Sequence, residues 1–149
     1  MRDLVIAIMA LALAAVVAVG GIGYVNIGIA SRVEASAAAA AGFRIYGGAL
    51  TAYRLSNRSL PDADSWRDEL APYMPGGAPR APIGWEWSYG HDAAGPWFCF
   101  SAAEAEGRPQ SLRKAADAFP PGTITVSNAC AAPEGATDGA AATYRPTRS

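Results

Sequence analysis

The stretch LTAYRLSNRSLP, Leu50 to Pro61, reads as the last turns of a helix followed by a stop. Asn57 is placed to serve near the C-cap, and Pro61 bars continuation. Read backward from this stop, Phe43, Tyr46, Leu50 and Tyr53 recur at steps of three, four and three. That spacing puts them on one helical face, predicted to pack on whatever follows. The run Ala37 to Ala41 supplies the best helix former available. Gly47 and Gly48 each weaken the helix by up to about 1 kcal/mol; they would admit a close neighbour or a bend.

Upstream, Leu4 to Ser31 is 28 residues without a charge. About 20 apolar residues suffice to cross a bilayer, so the segment is predicted to span one with some tilt. A cleaved signal peptide is the competing reading, with Ala15 to Ala18 as its small-residue site. The apolar run continues well past that site, which favours an uncleaved anchor. Arg2 before the span and Arg32 after it do not set its orientation. Ala10, Ala14 and Ala18 form a small-residue stripe at four-residue spacing, a pattern that lets membrane helices pack closely. In so alanine-rich a chain, chance produces the same stripe.

Beyond the long helix, DADSWRDELAPYMP reads as a short helix. Asp64 or Ser65 would cap it, with Asp68 and Glu69 in its first turn. Pro and Gly make 75–84 a loop. WEWSYG (Trp85 to Gly90) and WFCFSA (Trp97 to Ala102) read as strands joined through the hairpin loop HDAAGP, and TITVSNAC (Thr123 to Cys130) as a third strand. PQSLRKAADAF reads as a short helix ended by Pro120, Pro121 and Gly122. After Ala131 large apolar residues vanish, which predicts a flexible tail. The expected fold is therefore α+β: a long N-terminal helix, a membrane span continuing as an amphipathic rod, packed on a small antiparallel sheet of about three strands. Trp85, Trp87, Trp97, Phe98 and Phe100 would be buried against it. Residues 1–31 would be the anchor, 32–130 the domain and 131–149 the tail.

The chain has two cysteines, Cys99 and Cys130, both beyond the span. An even pair in a small exported domain favours a disulfide in an oxidising compartment, here the bacterial periplasm. Such a bridge would tie the second strand to the end of the third and add about 3–4 kcal/mol on the chain-entropy model. Two buried free thiols are the alternative.

Little chemistry is legible. The net charge of −1 provides no field for nucleic acid. His91 is the only histidine; with Asp92 it could make half of an acid–base pair, but no nucleophile accompanies it, and loop solvation is the simpler reading. Two cysteines 31 positions apart do not make a zinc site. Gly20 to Gly23, GGIG, lies in the apolar span and lacks the ending of a phosphate loop. The four Trp residues could make a sugar platform, although core packing explains most of them. No cofactor, metal or small-molecule substrate is expected.

The layout resembles the type IV pilin and pseudopilin superfamily. Tyr53-Arg54-Leu55-Ser56-Asn57, followed by Leu60-Pro61, is similar to the close of the long pilin helix. The interval from Leu4 to Tyr53 also matches, and the two late cysteines are similar to those bounding the C-terminal region of type IVb pilins. The resemblance covers about residues 4–130. It implies a helix whose second half packs on an antiparallel sheet, and contacts with membrane lipid and with other pilins or pilus assembly proteins rather than catalysis. GGIG would be a point where such helices loosen. The chain departs from the pattern at its start: Asp3 stands where pilins carry a Gly before the cleavage point, and no Glu interrupts the first apolar turns. A prepilin peptidase would have no recognisable site. Either the start given is not the true one, or the chain is a pilin-like protein that stays in the membrane, which is similar to the PilM family of type IVb pilus biogenesis, small inner-membrane proteins at the pilus base. An unrelated single-pass periplasmic protein that binds an envelope partner or glycan is the second reading, and an enzyme is the third.

Overall fold

Residues 33–57 are helical throughout (α1), about 37 Å at 1.5 Å per residue. The structure, a computed structural model, describes residues 33–102, 109–132 and 140–146. The chain divides into two units, 1–33 and 34–149, and all described residues but Val33 fall in the second. Among the described residues no helix is long and apolar enough to cross a membrane. The expected span, residues 4–31, and its stripe of Ala10, Ala14 and Ala18 lie outside them.

α1 buries one stripe: Ala35, Ala39, Phe43, Tyr46, Ala49 and Leu50. Three of the four residues predicted to face the core do so completely. The fourth, Tyr53, is half-buried at the helix end. Next come a short helix, α2 (Trp66–Leu70), and a 3-10 turn, Ala71–Tyr73. Ser65 is the N-cap residue of α2, but its hydroxyl donates to Glu69 Oε1 at 2.5 Å rather than capping the backbone. Trp66 and Leu70 are the buried side of this turn-and-a-half.

Among the described residues the sheet has four strands, all antiparallel: β1 (Trp85–Asp92), β2 (Gly95–Ala102), β3 (Ile124–Ser127) and β4 (Ala141–Tyr144). Their order is β1-β2-β4-β3. α3 (Pro109–Ala116) connects β2 to β3, where a short helix is predicted. β4 corrects the expectation of three strands and a tail from residue 131. Its residues are Ala-Ala-Thr-Tyr, which carry almost no apolar bulk. None is needed there, because Ala142 fits between Phe100 and Val126 and is fully buried. The hydrogen-bond ladders on both edges hold the strand in place.

Side chains alternate across the sheet. One face carries Trp87, Tyr89, Phe98, Phe100 and Tyr144 toward α1. Phe43 meets Trp87 edge-on at 5.1 Å, and Tyr46 stacks on Phe98 at 5.2 Å. Each buried ring contributes about 1.5–3 kcal/mol relative to exposure. Trp97, expected on this face, is on the other: it neighbours Phe98 and so points the opposite way. There its ring covers Gly90, its direct partner on β1, where a Cβ would stand 2.5 Å from the indole.

That second face also holds Ser88, Cys99 and Thr143. Cys99 and Cys130 form a disulfide with Cα atoms 5.6 Å apart. The bridge does not join neighbouring strands, because β4 lies between β2 and β3. It passes over Thr143, whose hydroxyl oxygen accepts from Ala131 N at 2.9 Å and lies 3.9 Å from Cys99 Sγ.

Candidate functional site

The residues singled out in the sequence do not converge on a chemical site. Phe43, Tyr46 and Leu50 are core, and Cys99 and Cys130 are a staple. His91 and Asp92 are not in a loop: they are the last residues of β1, paired with Pro96 and Gly95. The hairpin turn is only Ala93–Ala94, closed by Asp92 Oδ1 accepting from Ala94 N at 2.8 Å and by Gly95 at a φ of 120°. Asp92 also takes a bidentate contact from Arg145, at 3.0 and 2.7 Å, just beyond β4. That guanidinium holds the Asp92 carboxyl below its ordinary range. Among the described residues no group of three or more His, Cys, Asp or Glu gathers as a metal site.

What distinguishes the molecule is the other side of α1. A surface helix normally opposes its apolar stripe with charge. Here the exposed positions Ala37, Ala41, Ile45, Gly48 and Leu55 fall at steps of four, four, three and seven, with half-buried Ala52 between the last two. At 100° per residue they form a ridge of small and aliphatic side chains from Ala37 to Leu55, preceded on the same face by the exposed Glu34. Ile45 is 41% exposed and Leu55 79%. Within 33–57 the charged residues are Glu34, Arg44 and Arg54. Arg44 is folded to one side: its guanidinium lies 5.1 Å from the Phe119 ring centroid and donates to Ala118 O at 3.3 Å. α1 is thus apolar on two faces, and the sheet covers only one.

The C-terminal end of α1 is fixed by polar contacts. Asn57 Nδ2 donates to Tyr53 O at 3.1 Å and to Tyr73 Oη at 3.0 Å, so Asn57 caps the helix as its position predicted. Arg58 follows at a φ of 57°, with its N donating to Arg54 O at 2.9 Å. This is a left-handed C-cap made by a residue other than Gly or Asn. Tyr53 donates its hydroxyl to Glu69 Oε2, which locks α2 to the helix end. Bonds from Ser65, Tyr53 and the Asp62 amide hold the Glu69 carboxyl below its ordinary range, and its bond to Tyr53 pushes that phenol up.

The sequence reading found the buried stripe and missed the ridge. The signal was available: Ile45 and Leu55 are large, apolar and off the core face, and the positions between them carry Gly and Ala where charge is usual. No protein-family model matches the chain, and no characterised protein or solved structure shows significant similarity to it.

Proposed function

We propose that the chain is a pilin-like, non-enzymatic structural or assembly component of a type IV pilus or related secretion machine. Residues 4–31 anchor it in the bacterial inner membrane, and the domain from 32 onward faces the periplasm or enters an extracellular pilus. The observation that carries this reading is the second apolar face of α1. Small residues there let another helix approach to about 8 Å, the short end of the interaxial range. The partner this favours is the same helix of another copy, or of a subunit built like it. A rod that packs a sheet on one side and its like on the other is what a helical assembly requires.

The test is Ile45→Cys in the full chain, expressed from its own locus and oxidised in the membrane. With Cys99 and Cys130 already paired, the new thiol should yield a linked dimer. Glu86→Cys, on the exposed far side of the sheet, should stay monomeric. Linked dimer in sheared surface material makes the chain a filament subunit, and linked dimer confined to the inner membrane makes it a basal component. Linkage through Glu86→Cys but not Ile45→Cys overturns the reading.

A further inference from the structure

α1 ends against the tip of the β1–β2 hairpin, and between them lies a cavity of about 500 Å³. Arg54 and Arg58 line it, together with Leu55, Leu60 and Pro96. Asp92, at its rim, is already engaged by Arg145 and does not neutralise either guanidinium. Among the described residues neither Arg54 nor Arg58 has an ion-pair partner. A chain of net charge −1 thus concentrates two uncompensated cations around one concavity.

We propose that this cavity binds an acidic group carried on a short aliphatic body, with Arg54 and Arg58 holding the acid and Leu55, Leu60 and Pro96 the body. Arginine presents planar, paired donors that match a carboxylate. The aliphatic lining is exposed in the single chain: Leu55 is 79% exposed and Leu60 37%. Among the described residues neither guanidinium is bonded to the helix end, where Tyr53 O and Arg54 O are met by Asn57 Nδ2 and Arg58 N. The backbone points the same way. Arg58 holds a left-handed conformation that Gly or Asn would adopt at less cost. A left-handed residue other than Gly or Asn at a cavity is a departure of the kind expected where binding rather than stability is served.

The acid is either a free small molecule or a side chain of a partner protein. The probes are hexanoate, the neutral control hexan-1-ol, and the dipeptide acetyl-Asp-Leu-amide. Each is titrated into the full chain in detergent while the arginine side-chain N–H resonances are followed. Saturable hexanoate or dipeptide binding is expected, weakened about tenfold or more by Arg54→Gln and by Arg58→Asn. Arg58→Asn should also unfold at the same or a higher temperature, because Asn tolerates the left-handed backbone. That split between stability and binding is one that a purely structural role for Arg58 would not produce. Tighter dipeptide than hexanoate identifies a protein side chain as the source, and the reverse a free acid. The proposal is overturned by absence of saturable binding to either acid, by equal effects of hexan-1-ol, or by unchanged binding in both variants.

Discussion

Gly42 and Gly48 sit on the same helix, six residues apart, and alanine should have opposite effects at the two. A Cβ at Gly42 would stand 2.1, 2.5 and 3.0 Å from three atoms of the Trp87 indole. That ring cannot retreat freely. It is 4% exposed and is held by Phe43 at 5.1 Å, Tyr46 at 5.2 Å and Phe100 at 4.5 Å. Overpacking of this kind costs about 1–3 kcal/mol, and the better helix propensity of Ala returns about 1. The expected net loss for Gly42→Ala is about 0–2 kcal/mol. At Gly48 a Cβ meets nothing within 4 Å. There the propensity gain stands alone, so Gly48→Ala should stabilise by up to about 1 kcal/mol. The two variants should differ by the overpacking term, about 1–3 kcal/mol, or roughly 5–20 °C in midpoint for a domain of this size. Thermal unfolding of the full chain in detergent, followed by tryptophan fluorescence and far-UV circular dichroism, measures the gap. Equal stabilisation by both alanines would show that the indole is not seated on Gly42, and the register of α1 on the sheet would then be wrong.

Tyr89 Oη is buried without a hydrogen-bond partner among the described residues, and burial pushes its pKa up to about 12. Tyr89→Phe should therefore be neutral or stabilising by about 1 kcal/mol in denaturant unfolding; a loss above that would reveal a partner for the hydroxyl. Asp92 and Glu69 both have folded-state pKa values below their unfolded ones. The stability they lend is full above the unfolded carboxylate range and is lost as pH falls through the folded values. Acid unfolding of Asp92→Asn should accordingly be shallower below about pH 4 than that of the parent chain, and an unchanged acid limb would count against the Arg145 pairing. Replacing Cys99 and Cys130 by Ala should cost about 2–4 kcal/mol in chemical denaturation. A change under 1 kcal/mol would mean that the unfolded chain is already constrained there.

The buried stripe of α1 was legible because its residues are large and its period unbroken. The hairpin was legible because aromatic residues alternate in WEWSYG and WFCFSA, although Trp97 shows that alternation must be counted residue by residue. β4 was not legible. A strand held between two others needs little side-chain volume, and Ala141 and Ala142 look like tail to any reading based on bulk. His91 and Asp92 were misplaced because a two-residue turn at Ala93–Ala94 carries no Asn or Gly within it to mark it. The cavity was invisible for another reason. Arg54 and Arg58 are neighbours in sequence, but the hairpin tip that closes the concavity over them comes more than thirty residues later.

The strand order has a consequence for how the protein must be made. β4 follows β3 in sequence but lies between β2 and β3 in the sheet, so β2 and β3 cannot be joined until residues 141–144 arrive. Until then each offers an open edge, the kind that recruits strands from other chains. The disulfide sharpens the timing. It crosses β4 on one face, while Phe119, 5.6 Å from Tyr144, lies on the other. If Cys99 and Cys130 pair first, the slot that β4 must fill is already roofed. The unobstructed route is docking first and oxidation second, so the bridge would act as a latch on a finished sheet rather than a guide for building it.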